Sequence, residues 1–335
     1  MKKVSFLFKK LFTCNYKGAY DQAKVLSKKY GGTTVGIFLD MMYCGVKYGA
    51  GYVDYAEFEF NLLNKEQRQT YLTSELNNRI VRKYNDSAYW HLFNDKIEFN
   101  KLFKNYINRE FISLRDEDST LEQFKEFCLK HKKIVAKVAN GTHGVGIDFY
   151  DIDRSTDFEK LYQKLRANEQ YLVEEFIIQH RDLKKLYAES VNSLRVITFL
   201  TDNNEVEILR TVLKIGNREG IDNCRNGGMY TFLDETGKVI MPAFDENNII
   251  FETHPKSGEK IVGFQVPYYD EIEKLVKEAG KVIPQIRYVG WDVAISEKGP
   301  MIIEGNEYSG IFQMKASINP TKIGDLPKFK KHIKF

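Results

Sequence analysis

Residues 290–310 read GWDVAISEKGPMIIEGNEYSG and contain two apolar runs of strand character on either side of the turn sequence EKGP. Apolar, β-branched runs that flank such a turn predict a β-hairpin. A turn centred on Lys298 places Asp292 opposite Glu304. Because side chains on one face of a strand recur at every second residue, we expect the face of Asp292 to carry Ile302, Glu304 and Asn306 as well.

The predicted hairpin brings two carboxylates and an amide oxygen to one patch at its open end. Oxygen ligands of this kind suit Mg²⁺, which takes one or two carboxylates and completes its octahedron with water and phosphate oxygens. Val293 and Ile295 are apolar on the opposite parity, as expected for a strand that packs on a core beneath an acidic site. The pattern predicts a metal site at Asp292, Glu304 and Asn306, with Glu304 able to bridge two ions. A solvated strand with outward polar residues is the alternative.

The composition is that of a globular protein with a nearly balanced charge. The chain has 335 residues, of which 43% are hydrophobic, and this length favours two or three packed subdomains. Its 50 Lys and Arg stand against 46 Asp and Glu, which gives a net charge of +4. Proteins that bind nucleic acid usually carry a strongly basic surface, so we expect no nucleic-acid partner.

Cysteine usage and the N-terminus favour a cytoplasmic protein. The four cysteines are far apart in the sequence and form no C-x-x-C pair, so neither a disulfide framework nor a zinc site is predicted. The N-terminal apolar run is interrupted by Lys9 and Lys10 after five residues, which is too short for a signal peptide. No uncharged stretch approaches the roughly 18 residues of a transmembrane helix.

Both ends of the chain mix basic and aromatic residues, at 2–12 and at 328–335. Runs of this kind could bring the protein into peripheral contact with a membrane. Solvated tails are the favoured interpretation of these two runs.

The chain changes character near residue 110. Residues 1–110 indicate a mainly helical N-terminal region, whereas strand-like runs dominate the two later segments, 111–187 and 188–335. Helices are predicted at 120–131, 156–168 and 268–282. The predicted strands are KIVAKVA, IDFYDI, QYLVEEFI, LRVITFL, EVEILRTVLKI, YTFLD, WDVAIS and MIIEGNE. Strands paired as hairpins with a few helices predict an α+β fold.

A second predicted hairpin, residues 132–152, carries the glycine-rich loop NGTHGVG between its strands. Lys137 lies mid-strand among apolar residues, where a charge is costly unless it meets an anion. The backbone N–H groups of the loop could lie over phosphates, although such loops are also common turns. The strand QYLVEEFI at 170–177 could hydrogen-bond an adenine edge, but a core strand is the simpler interpretation of these residues alone.

Taken in order, these segments resemble the ATP-grasp superfamily, and within it the ATP-grasp proteins associated with sugar transfer and surface polysaccharides. The resemblance extends from about residue 94 to residue 319. It implies two α+β subdomains that clasp ATP, the lid subdomain at 111–187 and the catalytic subdomain at 188–335, after the helical N-terminal region. It also implies a nucleotide-binding set, namely Lys96, the second lysine Lys137, the lid residues Gly141, Thr142, His143, Gly144 and Gly146, the hinge residues Glu174, Glu175, Phe176 and Ile177, and Asp182 at the ribose.

The same resemblance assigns catalytic and metal residues. SVNSLRVITF at 190–199 is similar to the N-x-x-R strand of the family, which implies Arg195 near the phosphates. Residues 216–230 resemble the loop that lines the acceptor site, where Asn223, Gly227 and Gly228 match. The implied catalytic set is Arg195, Lys214, Asn223 and Glu304, and the implied metal set is Asp292, Glu304 and Asn306.

Two features depart from the family pattern. Residues 1–93 lack the glycine-punctuated βαβ pattern of the domain that usually precedes an ATP-grasp core. The hinge has two adjacent glutamates, Glu174 and Glu175, and either could set the adenine register.

The resemblance implies an ATP-dependent carboxylate–amine ligase that acts through an acyl-phosphate, with two Mg²⁺ ions that Mn²⁺ could replace. The expected substrates are a small carboxylate and an amine, with a uronic acid or an amino acid in surface-polysaccharide (capsule) synthesis as the carboxylate. Three alternatives stay open. A phosphotransferase acting on a hydroxyl of a sugar or small molecule would use the same residues, a non-catalytic subunit would only bind nucleotide, and a membrane- or polyanion-binding protein would use the basic ends.

Overall fold

The computed structural model describes residues 15–115, 119–141, 146–218, 227–246 and 249–335. The chain divides into two compact units. The terminal unit comprises the chain up to Lys83 together with Gly310–Phe335, and the central unit comprises Tyr84–Ser309. The division at residues 110 and 187 that we expected from the sequence stays a prediction.

The terminal unit is helical in its described part. Its helices are α1 (Tyr16–Tyr30), α2 (Thr34–Lys47), α3 (Tyr52–Glu57), α4 (Lys65–Arg68) and α5 (Ser74–Tyr84), with a C-terminal helix at Leu326–His332. Asn15 begins α1 by accepting a hydrogen bond from the backbone N–H of Gly18, and Gly31, with φ +83°, ends it. Small and apolar residues of α1 face the core of the unit at helical spacing, namely Ala19, Ala23 and Leu26. The predicted helical N-terminal region is confirmed.

The central unit begins with three short helices, α6 (His91–Asn94), α7 (Lys96–Leu102) and α8 (Lys104–Ile107). A four-stranded antiparallel sheet, the small sheet, follows in the order β1-β4-β2-β3. Its strands are β1 (Phe111–Ser113), β2 (Lys133–Lys137), β3 (Ile147–Asp151) and β4 (Leu172–Glu175). Helices α9 (Leu121–His131) and α10 (Phe158–Ala167) pack on it through a core that includes Phe124, Leu165 and Val173.

A seven-stranded antiparallel sheet, the large sheet, has the order β11-β10-β5-β6-β7-β8-β9. Its strands are β5 (Ser193–Leu200), β6 (Val206–Ile215), β7 (Met229–Phe232), β8 (Ala243–Phe244), β9 (Ile250–Phe251), β10 (Tyr288–Ser296) and β11 (Gly299–Asn306). Helix α11 (Arg181–Leu186) precedes the sheet and α12 (Tyr269–Ala279) packs on it. Trp291 is fully buried beside Phe93 and Phe103, and its indole N–H donates to the hydroxyl of Thr198 at 2.9 Å.

The α+β fold predicted from the sequence is confirmed. The predicted helices at 120–131, 156–168 and 268–282 correspond to α9, α10 and α12. A capping box of Thr120 and Gln123 begins α9, because each side chain accepts a hydrogen bond from the backbone N–H of the other residue. Within the described part of the chain, no helix is long and apolar enough to cross a membrane.

Candidate active site

The hairpin of β10 and β11 places Asp292 and Glu304 side by side. The two strands pair from Ser296 and Gly299 at the turn to Asp292 and Glu304 farther along. The expected pairing of the two carboxylates is therefore confirmed. The expected turn centre at Lys298 is wrong, because the turn lies symmetrically between Ser296 and Gly299.

A β-bulge explains why Asp292 and Glu304 pair although the turn is not centred on Lys298. Val293 pairs with Ile302, whereas its neighbour Asp292 pairs with Glu304, so Ile303 is an extra residue on β11. An extra residue reverses the parity of the side chains along a strand. Ile302 consequently lies in the buried core with Val293, and its expected position on the face of Asp292 is wrong.

Asp292 contacts two cations, one on the neighbouring strand β5 and one on the next strand, β6. On β5 its partner is Arg195, whose Nε donates to Oδ1 at 2.6 Å and whose Nη2 donates to Oδ2 at 2.9 Å. The Nζ of Lys214 on β6 lies 3.2 Å from the same Oδ1. Burial alone would raise the pKa of Asp292, but Arg195 and Lys214 outweigh it and hold that pKa well below its usual range. Three of the residues that the sequence singled out thus form one cluster.

Glu304 has the opposite electrostatic environment. Burial and the adjacent charge of Asp292 raise the pKa of Glu304, and the two cations of the cluster offset this only in part. Two neighbouring carboxyl groups resist double ionisation unless a cation joins them. Carboxylate oxygens are also the donors that Mg²⁺ prefers. The pair therefore fits a magnesium ion in both charge and donor chemistry.

Asn306 lies opposite Gly290 at the open end of the same hairpin. Its Nδ2 donates to the carbonyl of Gly290 at 3.2 Å, which leaves the amide oxygen as the atom suited to a metal. Across the residues that the structure describes, no three His, Cys, Asp or Glu side chains are grouped to hold a metal ion. A site here would therefore combine two carboxylates with this amide.

Lys96 is electrostatically linked to both sheets of the central unit. It begins α7, and its Nζ donates to the carbonyl of Gly141, where the glycine-rich loop starts. Burial lowers the pKa of Lys96, and the nearby ammonium of Lys137 lowers it further. The negative charges of Glu304 and Glu174 partly offset this decrease. Lys96 thus lies within electrostatic reach of Glu304 and of the charges on the small sheet.

Lys137 and Glu174 form a buried ion pair on the small sheet, with the Nζ of Lys137 in contact with Oε2 of Glu174. The other oxygen, Oε1, accepts from the Nε of Arg109 at 2.9 Å and from the Nδ2 of Asn100 at 2.7 Å. Burial would raise the pKa of Glu174, but Arg109 and Lys137 outweigh it and lower that pKa to about 2. The anion that meets Lys137 in this structure is a carboxylate, so the expected phosphate contact stays a prediction.

The two adjacent glutamates of the hinge have different surroundings. Glu174 is buried among the charges just described, whereas Glu175 is partly exposed and accepts from the backbone N–H of Glu110 at 3.2 Å. Neighbouring residues of a strand face opposite sides. Glu174 therefore shares the side of Lys137, and the choice of adenine register stays a prediction.

Phe176, Ile177 and Asp182 lie beyond the end of β4. The Nζ of Lys133 is 4.4 Å from the centroid of the Phe176 ring. Asp182 lies in the first turn of α11, where its hydrogen bond from Lys185 at 2.8 Å lowers the pKa of the carboxyl. These contacts are local, and the nucleotide roles expected for the three residues stay predictions.

Two of the predicted glycines occupy positions that other residues would strain. Gly146 has φ +74°, and a Cβ there would lie 2.8 Å from the side chain of Val138. Gly227 has φ +92°, and a Cβ there would lie 2.6 Å from the Nε of Arg218. The positive φ favours glycine at both positions, and at Gly146 the branched side chain of Val138 adds a steric reason. Four predicted site residues lie outside the described residues, namely Thr142, His143, Gly144 and Asn223.

Arg109 is a residue that the sequence analysis missed. Its guanidinium donates to the carbonyls of Ile302 at 2.6 Å and Ile303 at 3.1 Å, on the bulged strand, while it also pairs with Glu174. Arg109 therefore binds the backbone at the bulge, beside the two carboxylates that we expect to hold a metal. A single arginine between a short helix and a short strand belongs to no local motif, so no sequence signal marked it.

Asn192, the first residue of the N-x-x-R motif, has a structural role. It is fully buried, and its Oδ1 accepts from the backbone N–H of Gly216 at 3.0 Å. Its Nδ2 donates to the carbonyl of Leu183 at 2.9 Å. The carbonyl of Gly216 in turn lies 2.8 Å from Nε2 of the buried His254. These contacts fix the backbone just beyond β6.

The fold is that of the ATP-grasp proteins, as the resemblance predicted. A family model described as sugar-transfer associated ATP-grasp matches residues 75–323, which is well over half of the chain. This chain belongs to the sugar-transfer-associated ATP-grasp family.

Three solved structures illustrate how remote the structural similarity is. The ATP-grasp ligase PsnB complexed with minimal precursor is 13% identical with a TM-score of 0.44, over 83% of this chain and 76% of that one. The D-alanyl-alanine synthetase A of Vibrio cholerae is 12% identical with a TM-score of 0.40, over 65% and 55%. The biotin carboxylase domain of the Hydrogenobacter thermophilus 2-oxoglutarate carboxylase, in complex with MgADP, is 13% identical with a TM-score of 0.43, over 78% and 52%. The chain spans about half the length of the last two of these proteins. No curated protein sequence matches the chain.

Proposed function

We propose that this chain is an ATP- and Mg²⁺-dependent ligase that joins a carboxylate to an amine. The observation that carries the proposal is the pair of adjacent carboxyl groups, Asp292 and Glu304, with cations around it. Arg195 and Lys214 contact Asp292, and Lys96 lies within electrostatic reach of Glu304. Membership of an ATP-grasp family supports ATP as the source of energy.

The proposed role of each residue follows from its charge and contacts. Asp292, Glu304 and Asn306 would hold Mg²⁺, with Mn²⁺ as a substitute, and the bound metal would neutralise charge on the phosphates. Lys96 and Lys137 would bind phosphate oxygens from the side of the small sheet. Arg195 and Lys214 keep Asp292 ionised and would orient the activated substrate.

In the proposed reaction an oxygen of the substrate carboxylate bonds to the terminal phosphorus of ATP, and the bond from that phosphorus to ADP breaks. The nitrogen of the amine then bonds to the acyl carbon, phosphate leaves with the bonding electrons, and the amine loses a proton. Most of the rate enhancement would come from positioning and from fixed positive charge. The scheme needs no covalent nucleophile from the protein.

The family description supports the substrate class that we propose. A uronic acid or an amino acid is the proposed carboxylate, and an amino acid or amino sugar the proposed amine. The support is the association of the family with sugar transfer. We place the reaction in the cytoplasm, where ATP is supplied.

A product screen tests this proposal. The purified chain is incubated with ATP, Mg²⁺ and pairs of uronic acids, amino acids and amino sugars, and released phosphate and product masses are measured. A ligase gives free phosphate and a product with the combined mass of acid and amine minus water. A phosphorylated acceptor without free phosphate would contradict ligation and identify a phosphotransferase instead.

A further inference from the structure

The two units of the chain carry opposite net charges. Residues 1–83 and 310–335 contain 20 Lys and Arg against 8 Asp and Glu, whereas residues 84–309 contain 30 against 38. The terminal unit is therefore strongly basic, and the acidic central unit offsets most of its charge in the whole chain. All residues of the candidate active site lie in the central unit, so the site does not account for this positive charge.

Helix α2 in the terminal unit has an exposed apolar stripe. Its members follow one another at spacings of four, four and three residues, which places them on one helical face. The stripe consists of Val35, Leu39, Tyr43 and Val46, whose exposed fractions range from 48% to 61%. The buried residues of α2 lie on the opposite face, so both faces of the helix are apolar.

Helix α1 places a row of lysines beside this stripe. Lys17, Lys24 and Lys28 are exposed and share one face, because they are spaced by seven and four residues. The one acid of the helix, Asp21, is exposed on the same face, so the three lysines leave it with a positive excess. That face points away from the buried residues of the helix. The ring of Tyr20 packs edge-on against Phe38 of α2 with centroids 5.9 Å apart, which sets the two helices side by side. The lysine row and the apolar stripe thus form one outward surface.

We propose that this surface, the α2 stripe together with the α1 lysine row, binds an anionic lipid bilayer. The stripe would enter the boundary between headgroups and acyl chains, and the lysines would lie at the lipid phosphates. Helix α2 has 14 residues, whereas a spanning helix needs about 20, so it would lie in the plane of the membrane. A nucleic acid would use the lysines but not the exposed aliphatic residues, which favours lipid. The inference goes beyond the proposed ligase activity and does not depend on it.

Vesicle flotation of the full chain tests the proposal. The vesicles consist of phosphatidylcholine alone or of phosphatidylcholine mixed with phosphatidylglycerol. We expect the chain to float only with the mixed vesicles, and less so at high salt. Each lysine near an anionic surface contributes roughly fivefold to binding. Two triple variants, Lys17→Glu/Lys24→Glu/Lys28→Glu and Val35→Asn/Leu39→Asn/Val46→Asn, should each lower the bound fraction at least about tenfold.

A matched variant on the central unit controls for net charge. Lys104→Glu/Lys160→Glu/Lys281→Glu changes the net charge of the chain equally at exposed positions, and we expect its flotation to match the unchanged chain. Circular dichroism of each variant confirms that it is folded.

Four results would overturn the proposal. The first is that the unchanged chain does not float, and the second is that the folded stripe variant floats fully. The third is that the lysine-row variant and the central-unit control lose flotation equally. The fourth is that the chain forms a dimer without vesicles and that the stripe substitutions convert this dimer to a monomer. The second result would assign any attachment to other basic segments. The last would show that a second copy of the chain covers the stripe. Binding to DNA that both triple variants weaken equally, without flotation, would also count against lipid.

Discussion

Asp292 and Glu304 adjoin in the sheet, yet their pKa values shift in opposite directions. Asp292 faces Arg195 and Lys214, whereas the charge that most affects Glu304 is that of Asp292 itself. The ionised form of Glu304 is therefore unfavourable in the folded chain without a metal ion. A folded pKa above the unfolded value means that stability falls as the pH rises past about 4.3, the ordinary pKa of glutamate.

Replacement of the Glu304 carboxyl group should raise the stability of the metal-free protein and weaken its binding of Mg²⁺. In Glu304→Gln the amide is uncharged and can donate to Asp292, so we expect the metal-free protein at neutral pH to gain about 1–3 kcal/mol. The variant should also lose the stabilisation that Mg²⁺ gives the unchanged chain. Thermal unfolding with and without Mg²⁺ measures both effects. An equal Mg²⁺-induced rise in Tm in Glu304→Gln would contradict the site.

Glu174 shows the opposite dependence on pH. Its folded pKa of about 2 lies below the ordinary value near 4.3, so its ionised form stabilises the fold above that pH. That contribution, on the order of 3 kcal/mol, should disappear as the pH falls toward about 2. Urea unfolding at neutral and acidic pH measures the loss, and Glu174→Gln should be less stable at neutral pH but less sensitive to acid. An unchanged acid dependence in that variant would assign the effect to other carboxyl groups.

At the scale of the elements, the bulge in β11 and the arginine that binds it decide the geometry of the site. Arg109 donates to the carbonyls of Ile302 and Ile303 and pairs with Glu174 in the small sheet. One guanidinium therefore connects the β10–β11 hairpin with β4 of the small sheet. Lysine cannot reproduce this, because it lacks the planar fork of donors.

Substitution of Arg109 should weaken both sheets. Arg109→Met leaves Glu174 as a buried charge with fewer partners, and we expect a loss of about 3–5 kcal/mol. Arg109→Lys should lose less stability but raise the Mg²⁺ concentration needed for ADP formation, since the bulge loses its donors. Chemical unfolding and Mg²⁺ titrations of activity measure the two effects. If Arg109→Lys needed no more Mg²⁺ than the unchanged chain, the bulge would not position the carboxylates.

The elements themselves could be predicted from local patterns, and their exact register could not. Strands such as β5 and β6 coincide with runs of β-branched residues, which is why the α+β fold was predictable. The pairing of Asp292 with Glu304 was predicted from a misplaced turn, and the bulge at Ile303 compensated for the error. Arg109, which is far away in the sequence, binds the backbone at the bulge, and such a contact leaves no trace in local spacing.

At the scale of the whole molecule, the candidate site and the basic surface belong to different units. The site residues, from Lys96 to Asn306, lie within Tyr84–Ser309, whereas the lysine row and the apolar stripe lie in the terminal unit. The basic runs at the two ends of the chain were visible in the sequence, but the net charge of +4 did not show that one folded unit carries the excess.

Hydrogen exchange should reveal this separation. With Mg²⁺ and a non-hydrolysable ATP analogue, we expect slower exchange in β2, β10 and β11, where the lysine and the carboxylates lie. Peptides from α1 and α2 should exchange at an unchanged rate. Protection concentrated in α1 and α2 would place the nucleotide in the terminal unit and contradict the site.

The central claim is that Asp292, Glu304 and Asn306 hold the metal that binds the nucleotide. Calorimetric titration of the non-hydrolysable ATP analogue, with and without Mg²⁺, tests it most directly. The proteins are the unchanged chain, Glu304→Gln and the control Glu297→Gln, whose half-exposed carboxyl group lies at the other end of the same hairpin. We predict Mg²⁺-dependent binding in the unchanged chain and the control, and at least about tenfold weaker binding in Glu304→Gln, which corresponds to about 1.4 kcal/mol. Equal Mg²⁺-dependent affinity in all three proteins would contradict the claim.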